Sequence, residues 1–135
     1  RSIAFTSGAS NLVGGDFNQR SDVFVRDLWS GTTTRVSVAA DGSEANGNSQ
    51  NGVLSADGRF IVTWGVRDPA AGRVVEARRY DANGAPLGMK FRVANWGLHP
   101  NVVMSAGGEF LIVWEDGKGT VIARQYDRDG NVLGG

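Results

Sequence analysis

One histidine, four tryptophans and a short acidic loop are the features of this chain that could do chemistry. Nucleophilic catalysis needs a serine or cysteine, a base and an orienting acid within reach of one another. The chain has no cysteine, which excludes disulfides, thiolate metal sites and a cysteine nucleophile. No Gly-x-Ser-x-Gly elbow occurs, and Ser55 and Ser105 fall in a turn that recurs along the chain. His99 stands before Pro100 in a connection, aligned with Gln50 of an earlier repeat, so it reads as a polar strand-start residue rather than a base. No catalytic residue is assigned, and the chain reads as a non-enzyme.

The loop Asp16-Phe17-Asn18-Gln19-Arg20-Ser21-Asp22 offers three oxygen donors, Asp16, Asn18 and Asp22, of the kind calcium prefers. It lacks the glycine and the terminal glutamate of an EF-hand loop, and Arg20 opposes a cation, so a solvated turn competes with a calcium site. Asn83-Gly84 and Asp129-Gly130 lie between strand-like runs and predict hairpin turns in which both central residues take positive φ. Trp64 and Trp114 end apolar runs and predict core. Trp29 and Trp96 do not recur, and either one is a candidate for sugar contact, with Asn95, His99 and Asn101 nearby in sequence to Trp96, an indole stacking on a sugar face while polar side chains take its hydroxyls. Arg26, Arg78 and Arg124 repeat, which predicts a repeated ion pair or stack. No glycine-rich phosphate loop precedes a helix pattern, so nucleotide binding has no support.

Something must position these residues, and composition favours short strands. Twenty glycines against three prolines indicate many tight turns. Lys plus Arg and Asp plus Glu number 14 each, so net charge gives no reason to expect nucleic acid or an anionic membrane as partner. The longest apolar runs, Phe60-Ile61-Val62 and Phe110-Leu111-Ile112-Val113-Trp114, are far short of the roughly 20 residues of a membrane-spanning helix. The chain opens on Arg1-Ser2-Ile3, with neither an initiator methionine nor a signal-peptide pattern.

Internal repetition organises the rest. Val53-Leu54-Ser55-Ala56-Asp57-Gly58-Arg59-Phe60 through Trp64 matches Val103-Met104-Ser105-Ala106-Gly107-Gly108-Glu109-Phe110 through Trp114. Val75 to Gly84 matches Val121 to Gly130, and Val23 to Gly31 is a more distant copy. Thr34-Arg35-Val36-Ser37-Val38 and Lys90-Phe91-Arg92-Val93-Ala94 supply fourth strands. A period of about 46 to 50 residues with four short strands is the pattern of propeller blades, four-stranded antiparallel meanders. The fold predicted is all-β: a single β-propeller segment over residues 1–135, with repeats near 1–49, 50–98 and 99–135, or two and a half to three blades. Phe60–Trp64 and Phe110–Trp114 are predicted to be covered on both faces. Arg1 to Phe5 aligns after the Ala-Asp-Gly turn, so the first repeat lacks its first strand, while Asn131 to Gly135 stops before a fourth.

Ser2-Ile3-Ala4-Phe5-Thr6-Ser7-Gly8-Ala9-Ser10, Asp22-Val23-Phe24-Val25-Arg26-Asp27, Thr33-Thr34-Arg35-Val36-Ser37 and Ser55-Ala56-Asp57-Gly58-Arg59 together resemble the bacterial TolB-type β-propeller repeat. The copies carrying Ala77-Arg78-Arg79-Tyr80-Asp81 and Ala123-Arg124-Gln125-Tyr126-Asp127 resemble a variant found along large secreted or surface proteins. The resemblance implies an extracellular, cell-surface or periplasmic bacterial setting, typically within a longer chain. Fold does not set function, because propellers host enzymes, sugar binders and docking platforms. The reading from sequence is a structural or interaction module that binds further blades, copies of itself or a protein partner, with strands completing blades between copies. A carbohydrate-binding propeller, or a fragment of a propeller enzyme with its active site elsewhere, are the alternatives. No cofactor is called for beyond the calcium option.

Overall fold

The computed structural model describes residues 2–38 and 49–134. Arg1, Gly135 and the linking residues 39–48, which the repeat boundaries touch, lie outside the described residues. Every regular element among the described residues is a strand, and none is a helix long and apolar enough to cross a membrane. Short apolar runs broken by glycine turns leave no stretch in which a helical stripe could develop.

The strands form three antiparallel sheets. In the first, β1 (Ser2–Ser7), β2 (Asp22–Asp27) and β3 (Thr33–Arg35) lie in chain order. The second takes β4 (Ser49–Leu54), β5 (Phe60–Asp68), β6 (Gly72–Tyr80) and β7 (Phe91–Ala94). The third takes β8 (Leu98–Met104), β9 (Phe110–Glu115), β10 (Val121–Tyr126) and β11 (Val132–Leu133). The first sheet has three strands among the described residues and the other two have four. In the third, β11 pairs Gln125 with Leu133 and Tyr126 with Val132, which repeats the Tyr80–Pro86 bridge that precedes β7 in the second sheet. The sheets are not closed on one another.

Successive sheets pack through their leading strands: β4 lies against β1 and β2, and β8 lies against β4, β5 and β6. Between the first and second sheets Val23 and Val36 meet Phe60, Val62, Trp64 and Tyr80. Between the second and third, Ile61, Val75, Ala77 and Val93 meet Val102, Phe110, Ile112, Trp114 and Tyr126. Each such Phe, Ile or Val removed from water contributes about 1.5–3 kcal/mol. The second sheet is therefore covered on both faces, which is why Phe60 to Trp64 is buried without a break. The same expectation fails for β9, where only Phe110, Ile112 and Trp114 are buried. Among the described residues no sheet lies on its other face.

Contacts across the junctions are close. At Gly97 a Cβ would lie 2.6 Å from Trp114 Cδ1 and 2.8 Å from Val75 Cγ2, so only glycine lets the chain cross between sheets there. The Tyr80 hydroxyl donates to Val36 O at 2.6 Å, and Arg124 Nη1 donates to Val93 O, also at 2.6 Å. In both cases one sheet holds the outer margin of the sheet before it. Tyr80 stacks on Phe60, and Tyr126 on Phe110, at centroid distances of 4.8 and 4.9 Å. The repeated arginines stack, with Arg78 5.9 Å from the Tyr80 ring and Arg124 5.6 Å from the Trp114 ring, while Arg26 donates to Thr33 Oγ1.

One tight turn is used four times. The Ser55 N–H donates to Arg59 O and the Gly58 N–H to Ser55 O, a pattern repeated at Asp81–Ala85, Ser105–Glu109 and Asp127–Asn131. Gly58, Gly84, Gly108 and Gly130 all have φ between 84° and 94°. Asn83 and Asp129 do not, since the described non-glycine residues with positive φ are Gln19 and His99. The predicted paired positive-φ turn is thus replaced by a turn of ordinary residues closed by one left-handed glycine, in which Asp81 and Asp127 accept the N–H groups that the glycine bulge would strand.

Asp68 caps the β5–β6 turn in the same manner, accepting from Ala70 and Ala71 N–H and from Arg92 Nη2. The Ala71 N–H, then Arg92 and the Ala70 N–H, hold its pKa down to about 2 against an ordinary 3.8. A carboxylate with a depressed folded pKa stabilises the fold above its unfolded pKa, and that stabilisation is lost as pH falls through the folded value. Carboxyl NMR is expected to place the Asp68 titration near pH 2, and Asp68→Asn to flatten the fall in Tm between about pH 4 and pH 2. A midpoint near 3.8 would refute the cap.

Candidate functional site

The pairing of β9 with its neighbours decides which side chains share a face. Leu111 is opposite both Val103 and Gln125, Val113 is opposite Asn101 and Ala123, and Val121 is opposite Glu115. Leu133 is opposite Gln125. Val103, Leu111, Val113, Val121, Ala123 and Leu133 therefore stand on the side of the third sheet turned away from the second. Val103 is 59% exposed, Val121 67% and Leu133 42%. Contiguous exposed apolar surface of this kind marks an interaction site in soluble proteins.

A comparison within the chain gives this face its meaning. Its residues occupy the repeat positions of Val53, Ile61, Thr63, Val75 and Ala77 in the second sheet. There, Ile61, Thr63, Val75 and Ala77 are fully buried, and the Ile61, Val75 and Ala77 side chains pack in the core shared with the third sheet. The same positions, filled with equally apolar residues, are covered in one sheet and bare in the next. The sequence predicts Leu111 and Val113 to be covered and does not single out the others, although the repeat alignment pairs Val103, Leu111, Val113, Val121 and Ala123 with residues of the second sheet.

The opposite end is finished differently. Phe5, Phe24 and Arg35 share the outer face of the first sheet, where Phe24 is fully buried and stacks on Phe5 at 5.6 Å. Arg35 Nη2 donates to Gly15 O at 3.0 Å, and Arg35 Nη1 lies 3.7 Å from both Asp16 Oδ1 and Asp22 Oδ2. The Ser37 hydroxyl donates to Asp22 Oδ1 at 2.6 Å and accepts the Val23 N–H. The loop between β1 and β2 is thereby fastened over the sheet by a buried ionic cluster. Two of the three candidate calcium donors, Asp16 and Asp22, do converge, but on the guanidinium of Arg35. Asn18 turns to the Arg20 N–H instead. Among the described residues no group of three or more His, Asp or Glu could hold a metal ion. Arg35 was in view only as part of the Thr33–Ser37 repeat segment.

Of the candidate sugar residues, Trp29 belongs to the first sheet and the others fall in the β7–β8 connection and β8. Trp29 is 95% exposed on the β2–β3 turn, its backbone held by Asp27 Oδ1, which accepts from Trp29 and Ser30 N–H. Trp96 lies in the β7–β8 connection with its ring against Gly117 and its indole nitrogen beside Gly72. His99, at φ 48°, has Nδ1 3.4 Å from Glu115 Oε1. Asn95 is exposed beside Trp96, and Asn101 belongs to the outer face of the third sheet.

Comparison with protein-family models, with curated proteins and with solved structures finds no match to this chain. The internal correspondences carry the functional reading.

Removing one partner from a buried ionic cluster leaves its counter-charges unpaired and costs about 3–5 kcal/mol. Arg35→Met is expected to lower stability by about that amount in urea unfolding. Because a guanidinium already serves both carboxylates, the wild-type Tm is expected to be the same in EDTA and in excess calcium.

Proposed function

We propose that this chain is a non-enzymatic assembly module, a run of propeller-type blades from a bacterial surface or extracellular protein, which associates through the outer face of its third sheet. The observation that carries this reading is the match of that bare face to the buried face of the second sheet. The four-stranded meanders and the TolB-type repeat resemblance support the blade reading and the extracellular setting. His99 beside a carboxylate, rather than beside a hydroxyl nucleophile, supports the non-enzymatic reading.

A second copy is the occupant. Head-to-tail stacking would set the third sheet of one copy on the first sheet of the next, but that face is already under the β1–β2 loop held by Arg35. A two-fold arrangement, outer face on outer face, displaces nothing. Three strands of six or seven residues and the two-residue β11 cover roughly 20 by 15 Å, well below the ~800 Å² per partner of a standard interface. The association is accordingly weak and concentration-dependent.

Sedimentation from about 10 µM to about 1 mM is expected to show mass rising from the 14.3 kDa monomer toward twice that value. Val121→Lys, at an exposed position, is expected to abolish the rise and leave the circular dichroism unchanged. A wild type that stays monomeric throughout, or a variant that associates as well, overturns the reading.

One observation favours carbohydrate recognition as a second reading: Trp29 presents nearly all of its indole to solvent next to Ser30 and Thr32 hydroxyls. Glycan-array binding that disappears in Trp29→Ala and survives in Trp96→Ala would support it. An array with no signal removes it.

A further inference from the structure

Arg59 after the β4–β5 turn, Arg79 on β6 and Arg128 in the β10–β11 turn line one open pocket between the second and third sheets. The half-buried Leu87 and Met104 line its apolar side. Three guanidinium groups drawn into one concavity repel one another, and the pocket lining offers them a single carboxylate. Asp57 Oδ2 lies 3.3 Å from Arg59 Nε and 3.5 Å from Arg128 Nη2, while its Oδ1 is engaged by the Ser55 hydroxyl and the Arg59 N–H. Glu109 accepts from the Ser105 hydroxyl and adds a weaker attraction to Arg128 from outside the lining, which leaves Arg79 as the guanidinium without a carboxylate. Arg79 donates from Nη1 to Arg128 O at 3.0 Å and has no carboxylate partner among the described residues. Its position depends on Gly130, where a Cβ would lie 2.9 Å from Arg79 Nε. Five N–H donors per guanidinium exceed by far the acceptors supplied here.

We propose that this pocket binds a small carboxylate carried on an apolar stem. The planar carboxylate matches the donor fork of an arginine, neutralises the excess positive charge, and leaves its stem against Leu87 and Met104. The site is peculiar to this junction, since the repeat positions of Asp57, Arg59 and Arg79 in the third sheet hold Gly107, Glu109 and Gln125. It is separate from the outer face of the third sheet and stands or falls independently of self-association.

Benzoate and inorganic phosphate, titrated at constant ionic strength into the ¹⁵N-labelled chain, test it. Benzoate is expected to give saturable shifts at the backbone amides of residues 57–59, 107–108 and 128–130, with an affinity about tenfold above that of phosphate. Arg79→Gln and Arg128→Gln are each expected to lower benzoate affinity about tenfold, whereas Arg67→Gln, on an exposed part of β5, leaves it unchanged. Arg128 sits in an exposed turn, so its variant reports on binding even if the Arg79 variant is unstable. Equal affinity for phosphate and benzoate, or equal losses in the Arg67 and Arg128 variants, overturns the proposal.

Discussion

Covering both faces of the second sheet is the constraint on which the rest of the structure depends. A four-stranded sheet buries little against itself, and its apolar side chains are useful only when another sheet lies about 10 Å away. In this chain the first and third sheets supply those two covers, and Phe60 to Trp64 records the result as an unbroken apolar run. Backbone shape follows from that demand. Gly97 lets the chain pass between Val75 and Trp114, and the leading strands β4 and β8 lie against their predecessors because the sheets must meet there first. Both outer sheets inherit the complementary problem of a face with no sheet on it, and they solve it in different ways.

That difference explains where sequence was a good guide. Strand positions, the meander order and the buried tryptophans were legible because the repeats carry their own local signals: apolar runs of strand length, a glycine at each turn, and in the second and third repeats a tryptophan four residues after the phenylalanine that opens the strand. The degree of cover over Phe110–Trp114 was not. A run with the same composition as Phe60–Trp64 meets a neighbour on one side only, and nothing within the run encodes how many sheets flank it. Turn geometry was half legible. Gly84 and Gly130 were placed correctly, yet the Asp three residues before each of them, by accepting the stranded N–H groups, lets Asn83 and Asp129 keep ordinary φ.

Candidate sites were harder to read because they depend on residues distant in sequence. Asp16 and Asp22 looked like cation ligands from their spacing, and they do face a cation, but one supplied from β3 by Arg35. Trp29 and Trp96 were linked by non-recurrence alone, a property that carries no information about proximity. Arg59, Arg79 and Arg128 had no motif at all. They come together because two tight turns and one strand end meet at the junction of the second and third sheets, a fact of packing rather than of spacing.

The two hydrogen bonds reaching back to Val36 and Val93 bear on stiffness. Sheets joined only along their leading strands could open about that line as a hinge, with little resistance at the far side. Tyr80 and Arg124 act at the far side, where a short bond has the longest lever arm against opening. The second sheet holds the margin of the first by one tie and is held at its own margin by the third through the other, so the interior of the stack resists splaying as well as sliding. On the third sheet the β10–β11 turn is itself held, because Arg79 of the second sheet donates to Arg128 O, so the same junction is tied at both of its outer corners.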